Sequence, residues 1–126
     1  NRSAQRFRNV ADGRSSASFD GLVAIAKGAD RANAEQENKN LLLTRTARID
    51  TRPQLDILAD DVKASHGATI GQPDQDEIFY LRSRGLSPVT ALAMLTRGFA
   101  EEIVAALCDP TVRALAERMV VGNLGR

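Results

Sequence analysis

The apolar residues follow two patterns that change near residue 72. Before it they come in short groups: Phe7 and Val10, Phe19, Leu22-Val23-Ala24-Ile25-Ala26, Leu41-Leu42-Leu43, Ile49, Leu55-Asp56-Ile57-Leu58, Val62 and Ile70. None reaches the length of an ordinary helix, and Asp12-Gly13, Asp20-Gly21, Gly28, Pro53 and Gly67 stand among them as breakers. Many short strands in some seventy residues predict an all-β arrangement: a sandwich, a barrel or a coiled β-solenoid. Hairpin signals are poor. Asp12-Gly13 suits one, whereas Asp20-Gly21 falls inside an apolar run. A solenoid fits slightly better, because coils joined by bends stack in parallel and bury a narrow column of aliphatics. Asn33, Asn38 and Asn40 are candidates for polar stacking inside such coils, beside the commoner reading of asparagine as a loop residue.

From residue 73 the spacing is helical. Asp74 with Glu77 three residues on has the form of a capping box, Ile78 and Leu81 share a face, and Gly85 suits a left-handed stop. Ser87-Pro88 opens a second helix as N-cap and first helical residue, with Leu92, Leu95, Phe99, Ile103 and Leu107 at steps of three and four. Asp109-Pro110 repeats that start, and Val112, Leu115 and Met119 form a third, shorter stripe before Gly122. Two domains are expected, 1–72 made of strands and 73–126 of three helices.

Composition sharpens this. With 43% hydrophobic and 26% charged residues the chain reads as folded and soluble. At 4% aromatic, without Trp, its core must rest on Leu, Ile, Val and Ala. No apolar run approaches the roughly 18 residues of a membrane span. A net charge of +1 argues against a dedicated nucleic-acid binder. Gly85 as the turn of a helix-turn-helix, with Thr90, Thr96 and Arg97 exposed on the recognition helix, fails on the same ground: from residue 73 on, six arginines face seven carboxylates. Cys108 is the single cysteine, which excludes an internal disulfide and an all-cysteine metal site and points to a reducing compartment. Beside Asp109 at a helix end it is disfavoured as a thiolate and reads as structural. The opening Asn1-Arg2-Ser3 has no initiator methionine and leads straight into Phe7, so a portion of a longer chain is expected.

Candidate chemistry is sparse. His66, the only histidine, lies at the junction of the halves in Asp60-Asp61-Val62-Lys63-Ala64-Ser65-His66-Gly67-Ala68-Thr69. An imidazole serves as metal ligand or proton carrier, and equally as an ordinary surface residue. Alone it cannot complete a metal site, so any metal role needs ligands from another chain. Asp60 and Asp61 are adjacent, which on a strand points them to opposite faces and makes them a poor acid/base pair. No nucleophile triad, P-loop, dinucleotide fingerprint or paired-cysteine motif appears.

Several longer stretches are more specific: Asn40-Leu41-Leu42-Leu43, Ile49-Asp50-Thr51-Arg52-Pro53-Gln54-Leu55-Asp56-Ile57, the Ala59–Thr69 segment around His66, and Phe79-Tyr80-Leu81-Arg82-Ser83-Arg84-Gly85. Together they closely resemble the C-terminal part of the SufB/SufD family of iron–sulfur cluster assembly proteins. The likeness spans nearly all of the chain, and the Ser-His-Gly-Ala-Thr run has the SufD-like form. The resemblance implies the last coils of a right-handed parallel β-helix followed by a small helical domain. It implies pairing with SufB through the β-helix, docking of SufC, an ABC-type ATPase, on the helical domain, and a scaffold role without enzymatic activity of its own. It also implies a transient iron–sulfur cluster, shared with SufB, near His66. Position 64 is Ala where some SufD-like sequences carry Cys, which removes one soft ligand. Phe79, Tyr80, Arg82, Arg84 and Arg97 are the candidates for the ATPase contact, and the bacterial cytoplasm, ahead of the plastid stroma, is the expected compartment. A β-helix opened at residue 1 would expose unpaired backbone and self-associate. Two other readings stand beside this one: a β-solenoid enzyme acting on carbohydrate, for which only Asp56, Asp60 and Asp61 begin an acidic set, and a purely structural homo-oligomeric module.

Overall fold

Five strands fill the first 71 positions: β1 (Arg2–Ala11), β2 (Ser16–Ile25), β3 (Asn33–Leu42), β4 (Arg48–Ile57) and β5 (Lys63–Gly71). Three helices follow, α1 (Gln75–Ser83), α2 (Pro88–Val104) and α3 (Pro110–Leu124). This computed structural model describes residues 1–124, which divide into two compact units meeting at Gly71 and Gln72. The strands are longer than the apolar groups that announce them, because polar residues extend each one. β3 reads Asn-Ala-Glu-Gln-Glu-Asn-Lys-Asn-Leu-Leu.

All pairing is parallel. β1, β3 and β5 form one sheet in that order, and β2 and β4 form a second. Successive strands therefore alternate between sheets, and the path from β1 to its neighbour β3 runs through β2. Arg2 stands opposite Asn33, Asn33 opposite Lys63, and Ser16 opposite Arg48, so like positions recur about every thirty-one residues. Asp12-Gly13 is accordingly not a hairpin. Gly13 takes φ +60° in a turn, closed by Ser15 N–H to the Asp12 carbonyl at 3.1 Å, that hands the chain to the other sheet. Three of the expected breakers lie inside strands, Asp20-Gly21 within β2 among them. Gly67 is within β5, and Pro53 is within β4, whose only partner is β2. An edge strand tolerates a residue without N–H.

Side chains in register on parallel strands share a face. On β3 the buried positions are Ala34, Gln36, Asn38 and Asn40, every second residue. Their face looks toward the second sheet, since Thr51 of β4 donates from Oγ1 to Asn38 Oδ1 at 3.2 Å. Ala11, Ile25, Ala47 and Ile49 supply the apolar part of this core, with Phe7 and Phe19 in tilted contact, ring centroids 4.6 Å apart. The polar part is a ladder of amides. Asn9 Nδ2 donates to Asn40 Oδ1 at 2.7 Å, and Asn40 Nδ2 donates to Asn38 Oδ1 and to the Thr69 carbonyl, the latter at 2.9 Å. Asn38 and Asn40 thus stack inside. Asn33, of opposite parity, is exposed.

In the helical unit Asp74 caps α1 through Oδ1 on the Asp76 N–H at 2.8 Å, one residue short of the Glu77 donor that a capping box would use. Gly85 (φ +94°) completes the stop: its N–H bonds to the Arg82 carbonyl at 2.9 Å and Leu86 N–H to the Leu81 carbonyl at 3.3 Å, a Schellman pair. Ser87 caps α2 on Thr90 N–H at 3.1 Å, and Ala91, Thr96 and Val104 are its buried residues. Thr96, which the rejected helix-turn-helix reading would expose, is buried, and its hydroxyl bonds back to the Leu92 carbonyl at 2.8 Å. Leu107 lies beyond the helix rather than in its stripe. The last turn tightens with Leu107 N–H on the Val104 carbonyl at 3.1 Å, and the Arg113 guanidinium takes the Leu107 carbonyl. α3 starts on Asp109, whose Oδ1 accepts from Thr111 and Val112 N–H at 2.7 and 3.0 Å, and it continues through Gly122 to Leu124. No helix among the described residues is long and apolar enough to cross a membrane.

Candidate functional site

His66 lies in the middle of β5, the last strand of the first sheet. Register places it opposite Gln36, and Gln36 opposite Gln5. These three residues form one row on the face that β3 buries. Ala64, Ala68 and Ile70 occupy the neighbouring rows of β5. The second sheet ends at β4, so the inward face of β5 is largely uncovered: His66, Ala68 and Ile70 are exposed, Ile70 by 48%. The result is an imidazole presented at an open strand, backed by a buried row of carboxamides.

Gln36 is 2% exposed, and its Nε2 donates to Gln5 Oε1 at 3.0 Å. Its own Oε1 is buried without a partner, as is Asn38 Nδ2. Gly21 of β2 closes over this amide. A Cβ there would stand 2.9 Å from Gln36 Nε2 and 2.7 Å from the Phe19 ring. A side chain there would have to displace the Phe19 ring and the buried amide.

Among the described residues no three His, Cys, Asp or Glu side chains gather into a metal-binding group. Ala64, two residues before His66, brings no donor, and Cys108 is an exposed thiol in the other unit. Asp60 and Asp61 are exposed in the bend before β5. An iron ion or cluster at His66 would therefore draw its other ligands from outside these residues, and the exposure of the ring permits that. A groove of about 430 Å³ in the same unit is lined by Ser3, Gln5, Val23, Ile25 and Ala34, and His66 is not part of it.

The remaining candidates lie in the helical unit. Phe79 and Tyr80 are 71% and 58% exposed, large apolar surface for so short a helix as α1. Tyr80 is coupled to Arg84, whose guanidinium sits 5.3 Å over the ring and bonds the hydroxyl at 3.3 Å. Arg82 is exposed in the last turn of α1. Arg97 is on α2, paired with Glu101 at 2.5 Å, and lines a groove of about 240 Å³ with Met94, Val120 and Val121. The arginines thus split between a Tyr80–Arg84 pair on α1 and an α2–α3 groove.

Sequence reasoning missed Gln5 and Gln36. Their signal is the interval of 31 residues that also links Asn9 to Asn40.

The chain is thus a stack of parallel strands that alternates between two sheets, followed by a unit of three helices. Residues 1–99 match the family model described as SUF system FeS cluster assembly, SufBD core domain. The chain belongs to this SufBD family, whose role is in iron–sulfur cluster assembly. Within the family its likeness is of the SufD type: it is 44% identical over 124 residues, 98% of the chain, to the iron–sulfur cluster assembly protein SufD of Escherichia coli. It is 42% identical over 86 residues, 68% of the chain, to SufD of Bacillus subtilis, and 48% identical over 100 residues, 79% of the chain, to a SufBD family protein of Synechocystis. The chain spans 28%, 20% and 22% of those relatives' lengths, about a quarter of each.

Proposed function

We propose that this chain is part of a SufD-like scaffold subunit that pairs with SufB through the strand unit and docks a SufC-type ATPase through the helical unit. In this reading the strand unit belongs to a right-handed parallel β-helix. The alternation between two parallel sheets supports it, because a crossover between parallel strands of one sheet is right-handed in nearly all proteins. The cluster is cargo under assembly. His66 lends one nitrogen ligand at the SufB interface, and SufB supplies the rest. The reading leaves ATP hydrolysis to SufC and places the protein in the cytoplasm.

The observation that carries it is the placement of the sole histidine at an exposed position on the inward face of β5, an edge strand of its sheet. A partner strand pairing there covers the face and meets the imidazole together. For the ATPase, the exposed Phe79 and Tyr80 and the arginines at 82, 84 and 97 form the contact. Exposed aromatic and arginine side chains are those that dominate interfaces.

Two sets of variants test the two contacts separately. Capture of a SufC-type ATPase should fall at least tenfold with Phe79→Asp or Arg97→Glu and stay unchanged with His66→Ala. Iron–sulfur cluster formation in the complex with SufB should show the reverse order, lost with His66→Ala. If His66→Ala leaves cluster yield at the wild-type level, His66 is no ligand. If both helical variants capture the ATPase normally, the docking surface lies elsewhere.

A further inference from the structure

The row that contains His66 also contains an unanswered acceptor. Gln36 turns its nitrogen toward Gln5 on β1, and a carboxamide is planar, so its oxygen faces away from Gln5. The next position in the row on that side is His66. Neighbouring strands in a sheet stand about 4.8 Å apart, within reach of paired side chains. The oxygen is buried and unpartnered, in a site where Gly21 holds the amide closely from the second sheet. Leaving such an acceptor empty is costly, and buried polar groups are nearly always satisfied. A neutral imidazole offers one N–H and one lone pair, and which nitrogen holds the proton is set by the hydrogen bond it makes.

We propose that Gln36 is a positioning residue for His66: the exposed ring, which makes no hydrogen bond to the amide in this structure, turns so that the buried Oε1 accepts its Nδ1–H, leaving Nε2, at the tip of the ring, as the lone-pair donor. Nδ1 is the nitrogen nearer the backbone and hence nearer the buried amide. Gln5 fixes Gln36, Gln36 fixes His66, and the ring enters an interface with the correct nitrogen bare. Hydrogen bonds of this kind to the second nitrogen orient ligating histidines and raise their basicity. The functional value of the arrangement rests on the reading of His66 as a ligand. The hydrogen bond itself does not, so the two fail separately.

His66 is the only histidine in the 126 residues, so long-range proton–nitrogen correlation spectra of the ¹⁵N-labelled chain report its tautomer without ambiguity. With the ring neutral, the expected pattern is Nδ1–H, the minor form of free histidine. Gln36→Met, which keeps the volume and removes the acceptor, should return the ring to Nε2–H, and Gln36→Glu, which keeps an oxygen in place, should restore Nδ1–H. Gln5→Leu, at an exposed position, loosens the Gln36 amide and should give a mixture even if the Gln36 variants fold poorly. An Nε2–H pattern in the unaltered chain overturns the proposal. So does an Nδ1–H pattern that persists in folded Gln36→Met or is unmoved by Gln5→Leu. Cluster formation by His66→Ala, measured apart, decides the ligand reading alone.

Discussion

Asn40 answers three groups at once: it accepts from Asn9 on β1, and it donates to Asn38 beside it on β3 and to the Thr69 carbonyl on β5. A side chain that bridges three strands cannot be replaced by an apolar one of similar volume without stranding its partners. Asn40→Leu should lower stability by about 2–3 kcal/mol, from the desolvated groups it leaves behind, read as a shift of the urea midpoint at constant slope. Asn33→Leu should change it by no more than about 0.5 kcal/mol, because Asn33 is exposed. Both outcomes follow from parity. Asn38 and Asn40 are two apart and share the inward face, whereas Asn33 is an odd number of positions from either. That distinction was legible in the sequence once β3 was taken as a strand, yet the sequence grouped all three. What hid the strand was its composition: Glu35, Glu37 and Lys39 between the inward residues make β3 look like a loop. Gln5 and Gln36 stayed hidden for another reason. Their role appears only when coils 31 residues apart are superposed, and no local pattern marks it.

At the scale of elements, the helices were readable because their signals are local. Ser87, Asp109 and Gly85 all act within a turn of the helix end they define. The differences fell at the helix ends that carry no such signal. α2 stops at Val104, where the i→i+3 bonds Ala106 N–H to the Ile103 carbonyl and Leu107 N–H to the Val104 carbonyl tighten the chain, and α3 runs through Gly122 without breaking. α3 has no fully buried residue, so its stability leans on local terms more than that of α2 does. Asp109→Ala, which orphans the N–H groups of Thr111 and Val112, should cost α3 about 1 kcal/mol. Hydrogen exchange in the first turns of α3 should accelerate roughly fivefold while β3 is unaffected, an outcome that amide exchange measures residue by residue. Gly85→Ala should likewise cost about 1–2 kcal/mol through its positive φ, with the loss centred on the end of α1.

Among the described residues, the two parallel sheets leave four of the five strands paired on one side only, and β3 is paired on both. Edges of nine or ten residues are templates for further pairing unless charge or proline blunts them. β1 carries Arg2, Arg6 and Arg8, and β4 carries Arg48, Asp50, Arg52 and Asp56 with Pro53, so both are protected. β2 has one charge, Asp20, and β5 has one, Lys63. On β2, Leu22 is 59% exposed on the outward side, and on β5 the unprotected stretch runs from Ala64 to Gly71 around His66. Self-association of this chain should therefore proceed through β2 and β5, and it should respond to single charges placed there. Leu22→Lys on β2 and Thr69→Lys on β5 add an outward cation without disturbing the inward rows, since the Thr69 carbonyl that holds Asn40 belongs to the backbone. The expected result by light scattering is a mass that rises with concentration in the unaltered chain, falls with either substitution and stays at the monomer value with both. Substitution on β1 or β4, for example Arg6→Ser, should instead deepen association by removing a guard. A chain that remains monomeric at high concentration without any substitution would show that five strands with four open edges are already protected, and the assignment of β5 as a pairing edge would then have to be abandoned.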